Sequence, residues 1–155
     1  MKRKLLSLFL ISCCLIGASA CSLPFGSEDT ASVSFTEGEK RAAVELTTED
    51  RVAIRVLKTE GEETLLSVMQ ALQADGALTF TESGGMVTSI NGKENPADWS
   101  YCWMVYTSDE EISTTEMELE YNGGMLRFAS FGANVLPVSE GELYVWYYQG
   151  FKEKI

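Results

Sequence analysis

The stretch Gly61 to Gly76, GEETLLSVMQALQADG, decides the fold class. Thr64 is a candidate N-cap, and Glu62 and Glu63 suit the positive end of a helix dipole. Leu65, Val68, Met69 and Leu72 recur at helical spacing and form one apolar stripe. Asp75-Gly76 ends the pattern, with glycine free to take the left-handed cap. The stripe predicts one helix with one buried face.

Everything around that helix reads as strand. Ahead of it, Ala42 to Thr47 and Val52 to Lys58 flank Thr48-Glu49-Asp50, and Val52, Ile54 and Val56 point one way. Behind it, Leu78 to Thr81 and Met86 to Ile90 flank Ser83-Gly84-Gly85, and Asn91-Gly92 turns next. Trp99 to Thr107 is an aromatic strand. Met117 to Tyr121 and Met125 to Ser130 pair around Asn122-Gly123-Gly124, and Leu143 to Tyr148 closes the domain. Two strands, one helix and several strands predict an α+β domain: a β-grasp-like mixed sheet with one main helix packed on one face.

The N-terminus states a location. Lys2, Arg3 and Lys4 precede an apolar run from Leu5 to Ile16, then Ala18-Ser19-Ala20 and Cys21. That is the layout of a secretory signal peptide over residues 1–20. The run is too short for a spanning helix, which needs about 20 apolar residues. Cys21 at the first mature position makes it a lipoprotein signal, with a diacylglycerol on the thiol and the chain held on the extracytoplasmic face of the cell membrane. Two other readings stand beside it. Ala18-x-Ala20 also suits cleavage without lipid. Leu10-Ile11-Ser12-Cys13 matches a lipobox better locally, but cutting there leaves an apolar mature start, Cys13 to Ile16. Residues 21–40, rich in Ser, Gly, Glu and Thr, read as a flexible tether. The folded domain is expected over 41–151, with a tail at 152–155.

Composition narrows the partners. Removing residues 1–20 leaves 135 of 155 residues, enough for one core. Losing three basic residues takes the net charge from −11 to −14. Such a polyanion is a poor partner for nucleic acid, whose affinity rests on Lys and Arg at phosphates. Of four cysteines, Cys13 and Cys14 leave with the signal and Cys21 is acylated. Cys102 alone stays free, as a small buried hydrophobe, so no internal disulfide is expected.

The chain has no His. That removes Ser-His and Cys-His nucleophile pairs and His-based metal sites. With no Gly-rich phosphate loop and no cysteine pair at zinc spacing, neither an enzyme nor a cofactor or metal is expected. Asp109-Glu110-Glu111 lacks the spacing of a calcium loop and reads as a solvated turn.

The aromatics carry the candidate site. Alternation puts Trp99, Tyr101, Trp103 and Val105 on one face of their strand, with Cys102, Met104 and Tyr106 on the other. On the last strand, Leu143, Val145 and Tyr147 oppose Tyr144, Trp146 and Tyr148. One reading has the rings fill cores on both sides of the sheet. The other leaves a stripe open to a flat ligand, with Trp103, Tyr106, Trp146 and Tyr148 as ligand-binding residues. On that second reading Trp103 and Trp146 meet opposite fates, one in the core and one at the ligand.

Four segments in order carry a resemblance: Thr64-Leu65-Leu66 through Leu72; Gly85-Met86-Val87-Thr88-Ser89-Ile90-Asn91-Gly92; Trp103-Met104-Val105-Tyr106-Thr107-Ser108-Asp109; and Glu140-Gly141-Glu142 before Leu143-Tyr144-Val145-Trp146-Tyr147-Tyr148. Their order and spacing over about residues 40–151 resemble the transcobalamin-like C-terminal domain family. The resemblance implies a β-grasp-like fold and a non-enzymatic role binding a small molecule, a corrinoid in its sharpest form. It assigns no corrinoid contact to any position here. The alternative is an adhesive or structural module binding a protein or glycan at the cell surface.

Overall fold

The computed structural model describes residues 40–150. The expected signal peptide with Cys13 and Cys21, nearly all of the expected tether, and the expected tail lie outside the described residues. The chain runs β1 (Ala42–Thr47), β2 (Arg51–Val56), α1 (Leu65–Ala74), β3 (Phe80–Ser83), β4 (Met86–Ile90), β5 (Lys93–Glu94), β6 (Tyr101–Thr107), β7 (Ser113–Tyr121), β8 (Gly124–Ala129) and β9 (Leu143–Gly150). A short 3-10 turn, Glu110–Ile112, precedes β7.

The α+β class and the one main helix are as read from sequence. The expected mixed sheet is not. Six strands form one sheet in the order β1-β2-β9-β6-β8-β7, and β3-β4-β5 form a second, smaller one. Every ladder in both sheets is antiparallel. Parallel pairing needs a crossover that returns to the same sheet. Among the described residues the one α-helical connection, through α1, leads into β3, which belongs to the small sheet.

Thr64 caps α1 as expected. Its hydroxyl accepts from the Ser67 amide at 3.3 Å, and Ser67 Oγ accepts from the Thr64 amide at 3.1 Å. Glu62 and Glu63 precede the cap and do not enter the first turn; Glu63 pairs with Arg41 at 2.9 Å. Gly76 takes the left-handed conformation, and the next amide, Ala77, returns to the Leu72 carbonyl at 2.8 Å. Leu65, Val68, Met69 and Leu72 are all buried. Each contributes roughly 1.5–3 kcal/mol by leaving water. Leu72→Ala is expected to cost about 2–5 kcal/mol, because the side chain is enclosed on every side. Chemical denaturation would show this as a lower midpoint with an unchanged slope; an unmoved midpoint would contradict it.

Helix and sheet share one core. Val52, Ile54, Val56, Trp103, Val105, Tyr144 and Trp146 meet the α1 stripe there, with Val87 and Ile90 from the small sheet. The opposite face of the large sheet is covered too. Cys102, Met104, Tyr106, Leu119, Tyr121, Leu126 and Val145 form a second core. The sheet curls to achieve this. Burial raises the Tyr121 phenol pKa, and the Glu45 carboxylate raises it further. Leu46 of β1 packs against the same cluster as Leu119 and Tyr121 of β7, so the two outer strands approach each other. Curling buries the rings that an open sheet would have exposed.

Candidate functional site

β6 and β9 decide where the aromatic rings go. Trp103 pairs opposite Tyr148, and Val105 opposite Trp146. Residues directly opposite in an antiparallel ladder share a face. Trp103 and Trp146 therefore lie on the same, helix-facing side, only 5% and 3% exposed. The expectation that one of them faces the ligand from the open side is overturned by this register. Tyr106 lies on the other face, buried in the second core, with its hydroxyl 2.7 Å from Gln149 Nε2. Burial raises its pKa.

Tyr148 alone of the four is half-buried. It stacks on Tyr101 at 5.6 Å and tilts against Trp103 at 5.3 Å. Its hydroxyl donates to the Glu94 carbonyl at 3.1 Å, and Lys93 Nζ sits 4.5 Å from its ring. Trp103 reaches the same segment: its indole N–H donates to the Lys93 carbonyl at 2.8 Å, and its amide to Asn95 Oδ1 at 3.1 Å. These bonds fasten the small sheet to the large one.

The four residues fall into two clefts. The first, of about 340 Å³, takes Trp103 and Trp146. It exists because β6 pairs with β8 only at Tyr106↔Phe128 and Thr107↔Arg127. Beyond that point the chain through Ser130, Phe131 and Gly132 diverges, and a gap opens along β6. Trp103, Val105 and Trp146 wall its interior. Met86, Trp99 and Phe131 stand at its rim, 55%, 46% and 50% exposed. No lining residue carries a charge, and burial pushes the Cys102 thiol pKa up, keeping it neutral.

Two local features shape this rim. Trp99 has φ of +56°, a left-handed conformation that a bulky side chain rarely adopts. Its amide donates to the Pro96 carbonyl at 3.0 Å, and Asp98 accepts from both the amide and hydroxyl of Ser100. The turn thus holds an indole at the cleft mouth at a conformational cost. Strain of this kind concentrates where a side chain must be aimed. Across the mouth, Gly85 sits so close to Asn134 that a Cβ would lie 2.1 Å from its Oδ1. Glycine, at φ +88°, takes this turn conformation without strain and leaves room for the Asn134 side chain.

The second groove, of about 840 Å³, takes Tyr106 and Tyr148. Tyr101 and Tyr147 join them, interleaved with Asp50, Lys93, Glu118 and Gln149. Gly150 permits the close fit: a Cβ there would lie 3.3 Å from the Tyr101 ring.

Met86, Trp99, Tyr101 and Phe131 are therefore the residues that the sequence reading of the site lacked. Trp99 was legible as an aromatic on the Trp103 face, but nothing in the sequence signals its positive φ. Met86 was legible only as a strand residue after Gly84-Gly85. At Asp109-Glu110-Glu111, Asp109 accepts from the Glu111 amide at 3.0 Å and from Ser139 Oγ at 2.9 Å, and Glu110 pairs with Arg127 at 3.3 Å. Among the described residues no cluster of three or more acidic or cysteine side chains is placed to hold a metal.

No protein-family model, curated protein or solved structure matches this chain.

Proposed function

We propose that the chain is a membrane-tethered, non-enzymatic binding module that takes a small molecule in the tryptophan-walled cleft. One observation carries this reading: an uncharged, apolar cleft of about 340 Å³ whose rim exposes three large hydrophobic side chains. Its volume lies at the lower end of the range for small-molecule sites, about 300–1,000 Å³. A strained tryptophan at the mouth supports the same reading. The corrinoid version rests on the family resemblance alone. A cleft of this size would cover one edge of such a macrocycle and leave the rest in solvent. Lipid anchoring at Cys21 would hold the module on the extracytoplasmic face of the membrane.

Calorimetric titration with cobalamin and with small neutral aromatics tests the reading. A saturable 1:1 isotherm is expected for at least one class. Trp99→Ala is expected to remove about 1–3 kcal/mol of affinity, as loss of a stacking ring does at other sites, while leaving the melting temperature in place. Flat isotherms across both classes would end the proposal.

The adhesive reading has its own observation. The tyrosine groove alternates rings with charged and amide side chains, which suits a glycan better than an apolar peptide. Oligosaccharide-array binding with no cleft ligand would favour it.

A further inference from the structure

In the tyrosine groove one ring is both open and fixed. Tyr101 is 51% exposed, yet its ring is backed from behind. It stacks on Tyr148 at 5.6 Å with 18° between the planes, and Gly150 lets it lie close to the β9 backbone. Tyr148 is held in turn by its hydroxyl on the Glu94 carbonyl and by its tilt against Trp103. Tyr148 covers one face of the Tyr101 ring, so the exposed area belongs to the other face and the edge. The groove around this platform, about 840 Å³, is polar as well as aromatic. Among the described residues, no hydrogen bond or ion pair engages the hydroxyls of Tyr101 and Tyr147 or the Glu118 carboxylate. The cations beside the rings are committed. Lys93 Nζ lies 4.5 Å from the Tyr148 ring centre and 3.2 Å from Glu49, and the Arg51 guanidinium lies 4.6 Å from the Tyr147 ring centre. Met104 alone lines both this groove and the apolar cleft, so the two are separate sites.

We infer that this groove binds an uncharged pyranose oligosaccharide, with the C–H face of one sugar ring stacked on the open face of Tyr101. The inference rests on the glycan reading of the groove; it names the class of glycan and the ring that holds it. A pyranose is flat and apolar on its C–H face and polar at its rim, which matches a tyrosine platform flanked by polar groups. The uncommitted carboxylate of Glu118 is an acceptor, and the Tyr147 hydroxyl both donates and accepts. Sugar hydroxyls do both and suit each of them. Charge sets the rest. An acidic sugar would meet Asp50 and Glu118 in the groove, on a chain of net charge −11. A cationic ligand would compete with Arg51 and Lys93, which already lie over Tyr147 and Tyr148. A neutral polyol meets neither obstacle.

Titration of the protein with cellotetraose, chitotetraose, maltotetraose and the acidic tetragalacturonate tests this. At least one neutral tetramer is expected to saturate, and tetragalacturonate is not. Tyr101→Ala should weaken the neutral tetramer about tenfold, whereas Tyr101→Phe, which keeps the ring, should bind within about twofold of the parent. An unchanged Kd in Tyr101→Ala would overturn the role of that ring. Saturation-transfer NMR on the unaltered protein reads the same contact where Tyr101→Ala fails to fold. Irradiating the tyrosine ring protons should carry saturation to the sugar C–H protons, and a bound sugar receiving none would equally overturn the stacking. Tetragalacturonate binding as tightly as the neutral tetramers would overturn the uncharged class while leaving the glycan reading in place. If no tetramer of either kind saturates, both this inference and the glycan reading beneath it fall.

Discussion

Trp103→Ala and Trp146→Ala are each expected to lower the folding free energy by about 3–5 kcal/mol, the range for removing a large aromatic from a core. Both rings lie in the core shared by the helix and the large sheet. In a domain of this size about 1 kcal/mol moves the melting temperature by several degrees, so each variant should melt more than about 10 °C below the parent. The two should still differ in kind. Trp103 donates to the Lys93 carbonyl and so ties β5 to β6. Its loss adds about 1 kcal/mol for that bond and should loosen the small sheet first. Trp146 makes no such bond, and its loss enlarges the cleft. Circular dichroism melts check the magnitude. Amide hydrogen exchange checks the distinction, with residues 80–94 losing protection in Trp103→Ala well before the large sheet does. A variant melting within about 2 °C of the parent would show that its ring is not holding the core.

Cys21→Ser is expected to move the protein wholesale from the membrane fraction to the medium. A diacylglyceride brings two acyl chains, and two chains anchor stably where one is marginal. Removing the acceptor thiol removes both. The −14 charge of the processed chain offers no electrostatic substitute at an anionic surface. Fractionation with intact-mass analysis reads the result. A lipidated mature chain that begins at Cys13, or an unlipidated one, would refute the assignment of Cys21.

The helix and its hairpins were legible because their signals are local. Thr64, the four-residue apolar stripe and Gly76 specify α1 within sixteen residues of chain. Asn91-Gly92 and Asn122-Gly123 both adopt the left-handed pairs that tight hairpins need. The smallest errors were at strand ends. β6 starts at Tyr101 and not at Trp99, because Trp99 takes a positive φ that ends strand geometry. β7 starts at Ser113 and not at Met117, with an irregular register between Thr114 and Glu118.

The site was half legible. Alternation sorted the rings correctly within β6 and within β9, but it could not relate one strand to the other. That relation is the β6–β9 register, and it sets Trp103 and Trp146 on one face. Nor could alternation show whether the second face was open. The curl that brings β7 toward β1 buries it, and curl arises from twist accumulated across six strands. Chain order likewise gave no warning that β2, near the start of the domain, pairs with β9 at its end. Sequence alone thus determined the helix and the main strands, since each depends on residues adjacent in the chain, and it showed that histidine is absent. Only the tertiary structure decided the antiparallel sheet, the burial of Trp103 and Trp146 and the cleft between β6 and the 130–133 segment. Those depend on which strands meet and where they part, and pairing energy between distant segments leaves no periodic mark on either one.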